Sequence, residues 1–161
     1  MNKVLAELSG ESGQNRILTQ LSKVFKVSKM GKAARSVMAC ACLFPQRGIC
    51  SDILIRLFSQ EQWMVASQLE RSGWLRFDNY SNLWSVHPIA KAVCISEKST
   101  SINWENAGGF VTKLRKSQQL GFFDELSEEE RAQINELFGN VGRYQISKPL
   151  PWKKYAPQYL L

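Results

Sequence analysis

The sequence predicts a mainly α-helical protein with a small β-hairpin, organised as a winged helix-turn-helix domain with flanking helices. Before residue 72, apolar residues recur at every third or fourth position in several stretches, which is the spacing of amphipathic helices. Apolar and polar residues then alternate on both sides of a turn at residues 78–82, which is the spacing of a hairpin. Pro88 follows where a new helix can start, because the missing N–H of proline needs no partner there.

Length and composition limit the classes of protein to which the chain can belong. Its 161 residues are enough for one domain with a hydrophobic core, and 21 basic against 14 acidic residues give a formal charge of +7. This charge allows a nucleic-acid or phosphate partner, although solvated helix faces explain the dispersed cations equally well. No apolar run is long enough for a membrane span, and the N-terminus is too short and too charged for a signal peptide. We expect a cytoplasmic protein with no membrane partner.

The first part of the chain predicts helices separated by short breaks. A helix is expected over residues 14–27, after a break at residues 9–13. Another is expected from about Lys32 to Phe44, and its small residues from Ala39 to Cys42 predict close packing on most sides. This second helix is therefore expected to be the central helix of the domain.

The following elements predict the helix-turn-helix and the hairpin. Ser51 is expected to cap a short helix. Ser59 and Gln62 have the spacing of a capping box that starts a longer helix, and Gly73 suits the end of that helix. The Asp, Asn and Ser residues at 78–82 favour a tight turn, because their side chains bond to the nearby backbone.

After the hairpin the pattern predicts two further helices. Residues 103–120 have helical spacing, although the pair Gly108-Gly109 weakens the middle by about 1 kcal/mol each against alanine. The segment Ser127-Glu-Glu-Glu130 is a capping box, and the helix that it starts is expected to end at Gly139.

The predicted elements divide the chain into four parts. Residues 1–31 form an N-terminal helical segment, and residues 32–96 form the winged-helix domain. Residues 97–146 form a C-terminal helical segment. Residues 147–161 form a tail that has three prolines and no periodicity, so we expect it to be extended or disordered in isolation.

Five short motifs are placed along the predicted domain. They are Arg35-x-Val37-Met38, Cys42-Leu-Phe-Pro45, Gly48-Ile-Cys-Ser51, Leu69-Glu-Arg-Ser-Gly-Trp-Leu75 and Val86-His-Pro-Ile89. Together they resemble the winged-helix region of bacterial STAND ATPases, the NB-ARC-type signalling NTPases related to apoptotic and plant immune-receptor switches. The similarity covers about residues 14–95. The pairing of Ser-Gly-Trp-Leu with His-Pro-Ile is its more specific part, since the helix patterns alone are not specific.

The resemblance implies a role for His87, the only histidine of the chain. In that family, a histidine at this strand-to-helix junction contacts the β-phosphate of bound ADP and holds the switch closed. By resemblance, His87 with Pro88 is the nucleotide-sensing motif, and residues 1–31 are a remnant of the helical subdomain. An imidazole N–H can donate to a phosphate oxygen, and a helix N-terminus favours an anion. A histidine before a proline can also serve only to cap backbone groups at the junction.

The chain departs from the family in one large respect. The glycines of residues 9–13 do not fit the Walker A pattern G-x-x-x-x-G-K-[ST], and no Walker B segment is identifiable. The resemblance therefore implies that ADP or ATP is bound only through a separate nucleotide-binding domain, in cis or in trans. We expect no catalysis and no cofactor binding by this chain alone.

Two alternative functions follow from the same pattern. A winged helix can bind DNA with its second helix in the major groove, and residues 60–72 would be that helix. Gln68, Arg71 and Arg76 are then the candidate DNA contacts. Two glutamates on the helix and a wing tip without Lys or Arg weaken this interpretation. The chain can also be a plain protein-interaction module, if one of its tryptophans is exposed rather than in the core.

The cysteines predict no metal site. The chain has no C-x-x-C pair, and one histidine cannot complete a zinc site with the scattered cysteines Cys40, Cys42, Cys50 and Cys94. We expect buried, reduced thiols, because free cysteine packs as a small apolar side chain.

Overall fold

The computed structural model describes residues 30–97 and 100–146. The helix predicted over residues 14–27 and the predicted tail lie outside these residues. The described part is mainly helical with a small three-stranded antiparallel sheet. Its elements are α1 (Lys32–Ala41), β1 (Ile49–Cys50), α2 (Ser51–Leu57), α3 (Gln60–Arg71), β2 (Leu75–Asp78), β3 (Leu83–Val86), α4 (Pro88–Ser96), α5 (Trp104–Gln119) and α6 (Glu128–Arg143).

Helix α1 is central, as predicted, since every residue from Val37 to Ala41 is buried. The helix ends three residues earlier than the predicted end at Phe44. The Leu43 N–H donates to the Cys40 carbonyl and the Phe44 N–H donates to the Ala41 carbonyl, so the chain tightens into a turn after the helix. Both turn side chains stay buried, and apolar spacing therefore continues past the helix end.

The capping predictions for α2 and α3 have different outcomes. The Ser59 hydroxyl accepts from the Gln62 N–H, and the Gln62 side chain accepts from the Ser59 N–H, which confirms the capping box. The prediction that Ser51 caps α2 is wrong, because the N-cap residue is Cys50 and no side chain caps that helix. The Ser51 hydroxyl instead accepts from the Trp84 indole N–H at 3.0 Å. A contact with a distant strand has replaced a local one.

The sheet has one strand more than the predicted hairpin. Strands β2 and β3 pair antiparallel with Leu75 opposite Val86 and Phe77 opposite Trp84. Strand β1 pairs with the other edge of β3, which gives the order β1-β3-β2. Two residues are too few to show an alternating pattern, so the sequence alone did not predict β1.

Gly48 leads the chain into β1 in a conformation that only glycine adopts easily. Its φ is +107°, and a Cβ atom there would lie 2.8 Å from the Trp84 carbonyl oxygen. The close approach of the two backbones therefore depends on this glycine.

Helices α5 and α6 both differ in detail from their predictions. In α5, a Cβ atom at Gly108 would lie 2.7 Å from the Trp104 indole, so the glycine makes room for that ring. The prediction that α6 ends at Gly139 is wrong, because the helix continues to Arg143. Val141 is buried, and these tertiary contacts hold the backbone in a helix beyond the glycine.

One hydrophobic cluster includes residues from both the predicted winged-helix domain and the predicted C-terminal segment. Phe58 connects them, with its ring centroid 6.2 Å from that of Phe44 and 5.7 Å from that of Phe110. The buried side chains that α5 and α6 contribute include Ala107, Phe110, Val111, Leu114, Ile134, Leu137 and Val141. Among the described residues, no helix has both the length and the apolar character needed to cross a membrane.

Candidate functional site

The junction between β3 and α4 holds the sequence-predicted residues His87 and Pro88. His87 is the N-cap of α4, and Pro88 is the first residue of the helix, as predicted. The His87 N–H donates to the Trp74 carbonyl at 3.4 Å, and the His87 carbonyl accepts from the Lys91 N–H at 2.9 Å. The backbone of the histidine is therefore fixed to the start of the hairpin on one side and to the first turn of α4 on the other.

The imidazole of His87 uses only one of its two nitrogens inside the described structure. Its Nδ1 accepts from the Ile89 N–H at 3.2 Å, so a neutral ring carries its proton on Nε2. No described residue forms a hydrogen bond with Nε2. The side chain is half-buried. His87 thus caps the helix, as the alternative interpretation expects, and also keeps an N–H donor for a further acceptor.

A cleft of about 560 Å³ lies beside this junction. Val86 and Pro88 line it, whereas His87 between them does not. The end of α1 and the turn after it form an apolar part of the wall, and α6 forms the opposite side. The polar lining residues are Gln46, Lys91, Glu136, Asn140 and Arg143.

Helix α6 is held against β1 and the turn that precedes it by three polar side chains spaced three and four residues apart. Two of these side chains accept a hydrogen bond from a backbone N–H, and the third donates one to a backbone carbonyl. The backbone groups concerned are not paired with a neighbouring strand. The bonds are Cys50 N–H to Gln133 Oε1 at 2.8 Å, Gln46 N–H to Glu136 Oε1 at 3.0 Å and Asn140 Nδ2–H to the Leu43 carbonyl at 2.9 Å. The wall of the cleft is therefore positioned by the C-terminal helix, which the sequence did not associate with the histidine.

Two cations and one carboxylate, Glu136, line the cleft, which leaves a small excess of positive charge. Lys91 lies one turn into α4, and Arg143 lies in the last turn of α6. Neither forms an ion pair with a described residue. The N-terminus of α4 adds the partial positive charge of its backbone N–H groups. The junction and the cleft together favour an anionic ligand or an acidic partner surface.

The structure separates the three candidate DNA contacts. Gln68 and Arg71 are exposed on α3, whereas Arg76 is exposed on β2. Arg76 lines a shallow depression on the sheet together with Arg47, and Gln68 and Arg71 do not reach it. The sequence did not single out Arg47, because it lies in a turn where side-chain spacing carries no signal about its neighbours.

The four tryptophans within the described residues belong largely to the core. Trp74 and Trp84 are buried, which confirms the core interpretation for both. Trp63 and Trp104 are half-buried and pack against the same cluster. The Trp63 ring stands edge-on to the Trp84 ring with centroids 5.5 Å apart, a favourable aromatic arrangement.

The four cysteines all lie within the described residues and form no disulfide. Cys40, Cys42 and Cys94 are buried and Cys50 is half-buried. Within residues 30–97 and 100–146, no group of three or more His, Cys, Asp or Glu side chains is placed to hold a metal ion.

Comparisons of the chain with protein-family models, curated proteins and solved structures find no match.

Proposed function

We propose that the chain is a regulatory winged-helix module of a STAND or NB-ARC-type signal-transduction ATPase. In this proposal it packs on a nucleotide-binding domain, supplied in cis or in trans, and His87 contacts the β-phosphate of ADP bound by that domain. The observation that carries the proposal is the fixed orientation of His87, whose Nδ1 is used by the Ile89 N–H and whose Nε2–H is left to donate.

The arrangement of elements supports the winged-helix part of the proposal. Helix α1, strand β1, helices α2 and α3, and the hairpin of β2 and β3 follow each other along the chain. The sheet order β1-β3-β2 places the short first strand beside the last one. Helices α2 and α3 are joined by Phe58-Ser59 alone, which is a tight turn between two helices.

The charges around His87 support an anionic ligand. A phosphate oxygen that accepts from Nε2–H would also lie close to the N-terminus of α4, which favours negative charge. Lys91 and Arg143 line the neighbouring cleft, where Glu136 offsets one of their two positive charges. A bond from an imidazole to a phosphate is charge-assisted and stronger than one between neutral groups.

The first test is to search the DNA upstream of the Met1 codon, in all frames, for a G-x-x-x-x-G-K-[ST] segment in a strand-to-helix context. In the protein that joins such a domain to this chain, we expect His87→Ala to speed ADP dissociation about 10- to 100-fold. A hydrogen bond to a charged group contributes about 1.5–3 kcal/mol, and each 1.4 kcal/mol is tenfold. Stopped-flow release of a fluorescent ADP measures this rate.

Arg71→Ala is the matched control for that experiment, because Arg71 is exposed on α3, away from the residues that line the cleft. ADP release that stays the same in His87→Ala would contradict the proposed sensor. The purified chain alone is expected to hydrolyse no ATP, and activity that survives rigorous purification would overturn that expectation.

DNA binding is a second candidate, which the shared depression of Arg47 and Arg76 favours. Two exposed guanidinium groups can contact a phosphate backbone, and α3 presents Gln68 and Arg71 nearby in sequence. Binding to duplex DNA should then fall steeply with salt and weaken in Arg76→Ala and Arg71→Ala. Arg115→Ala, on the exposed side of α5, is the control. Equal binding by all variants would remove this candidate.

A further inference from the structure

The cleft beside the β3–α4 junction combines apolar and charged side chains in one concave surface. Its volume of about 560 Å³ lies within the range of about 300–1,000 Å³ that is usual for ligand sites. The apolar lining comes from the end of α1, the turn after it and the junction, and consists of Ala41, Phe44, Pro45, Val86 and Pro88. An occupant of the cleft therefore meets apolar surface and charge together.

The three charged side chains of the cleft differ in their partners. Glu136 is already engaged, because its Oε1 accepts from the Gln46 N–H at 3.0 Å. Lys91 is half-buried on α4 and Arg143 is exposed on α6. Neither cation has an ion-pair partner among the described residues. The cations are thus the groups that remain to bind negative charge from outside.

Backbone N–H groups around the cleft are committed to bonds within the chain. The Gln46 N–H donates to Glu136, and at the start of α4 the Ile89 N–H donates to His87 Nδ1 at 3.2 Å. Proteins commonly bind a free phosphate through several backbone N–H groups at a helix N-terminus or a similar concavity. Such a small anion would find only side-chain cations here, and it would gain nothing from the apolar lining.

We propose that the cleft binds an acidic peptide segment of a partner protein. An Asp or Glu side chain of that segment pairs with Lys91 and Arg143, since a guanidinium group can hold a carboxylate through two parallel hydrogen bonds. A neighbouring apolar side chain of the segment packs on Val86 and Pro88 and is removed from water. His87 does not line the cleft, so the proposal does not depend on the nucleotide role of that histidine.

The test titrates the isotope-labelled full chain with two synthetic peptides and follows the backbone amide signals by NMR. The peptides are acetyl-Leu-Glu-Glu-Leu-amide and its uncharged match, acetyl-Leu-Gln-Gln-Leu-amide. We expect the glutamate peptide to bind about 5- to 25-fold more tightly, because each of two exposed ion pairs accounts for up to about fivefold in affinity. The shifted signals should come from cleft residues, which include Gln46, Val86, Lys91 and Asn140.

Variants of the two cations test their roles separately. Lys91→Ala and Arg143→Ala should each reduce the preference for the glutamate peptide by up to about fivefold. Added salt should reduce it in the natural chain, because it screens exposed charges. Arg115→Ala, on the exposed side of α5 and outside the cleft, is the matched control and should bind as the natural chain does. The amide spectrum of each free variant shows that it is folded.

A third peptide, acetyl-Gly-Glu-Glu-Gly-amide, tests the apolar lining. It should bind more weakly than the leucine peptide, and equal affinity would overturn the apolar part of the proposal. Equal affinity for the glutamate and glutamine peptides, or shifted signals confined to residues outside the cleft, would overturn the carboxylate part.

Inorganic phosphate and ADP are titrated in the same way. Tighter binding of either one at the cleft residues would overturn the peptide and identify a small-anion or nucleotide site instead. Failure of the peptide titration is distinguishable from failure of the proposed nucleotide sensor, because ADP release in His87→Ala measures a different side chain.

Discussion

Gly108 and Gly109 are neighbours in α5 with different surroundings. A Cβ atom at Gly108 would lie 2.7 Å from the Trp104 indole, whereas a Cβ atom at Gly109 would meet nothing within 4 Å. We expect Gly109→Ala to raise the free energy of unfolding by about 1 kcal/mol, because alanine is the better helix former. Gly108→Ala should instead lower it, by about 1–3 kcal/mol, because the ring must move. Urea unfolding of both variants measures the difference, and equal shifts would contradict the packing role of Gly108.

Asp78 makes the stability of the hairpin turn depend on pH. The Tyr80 N–H and the Ser81 hydroxyl donate to its carboxylate and hold the pKa below its usual value. A lowered pKa in the folded state stabilises the fold above the ordinary carboxyl pKa, and this contribution disappears as the pH falls through the lowered value. The Tm of the natural chain should therefore exceed that of Asp78→Asn at pH 7, and the gap should close below pH 4. A gap that is constant over this range would contradict the assignment.

The role of a single residue was predictable from the sequence where its hydrogen-bond partner is a near neighbour in the chain. The Ser59 capping box, the turn at Asp78 and the placing of Pro88 depend on neighbours within four positions, so the sequence contains the whole interaction. The hydroxyl of Ser51 was not predictable, because its partner Trp84 is 33 positions away. The Nδ1 bond of His87 belongs to the local class, and it supports both interpretations of that histidine.

At the scale of elements, α6 stabilises the sheet edge through Gln133. The buried Gln133 side chain accepts from the Cys50 N–H, and removing it leaves that donor without a partner. An unpaired buried donor costs about 1–3 kcal/mol, so Gln133→Ala should lower the free energy of unfolding by this amount. Asn135→Ala, two residues on and exposed, is the matched control and should change stability by less than about 0.5 kcal/mol. Similar losses in both variants would show that the effect is general to α6.

The features that sequence patterns did not predict are those that depend on contacts with residues distant in the sequence. Strand β1 has two residues and exists because β3 and α6 supply partners for it. Helix α6 passes Gly139 because Asn140 and Val141 are held by the other side of the domain. Intrinsic propensity ends a helix at a glycine only when tertiary contacts do not continue it.

At the scale of the molecule, the predicted boundary at residue 97 falls inside a shared core. Helix α5 buries its apolar side under α1 and α2, and α6 covers the edge of β1. The periodicity of α5 and α6 predicted that each helix has an apolar side, but not which surface that side would meet. Local patterns therefore do not show whether residues 32–96 and residues 97–146 share one core.

A chain that ends at Glu97 is expected to lose cooperative unfolding. It would lack the large buried side chains of α5 and α6, which include Phe110, Leu114, Ile134 and Leu137. Each contributes about 1.5–3 kcal/mol when fully buried, and the total stability of a domain is only about 5–15 kcal/mol. The Cys50 N–H at the sheet edge would also lose its partner.

Urea titration followed by tryptophan fluorescence separates the outcomes for this truncation, because Trp63, Trp74 and Trp84 all remain in the shortened chain. A broad, low-amplitude change is expected in place of a sigmoidal transition. The full chain with Leu137→Ala is the graded control, and it should keep a cooperative transition with a lower midpoint. A sigmoidal transition of the shortened chain near the midpoint of the full chain would instead mean that residues 32–96 fold alone. Helices α5 and α6 would then be an attached segment rather than a part of the core on which the His87 junction depends.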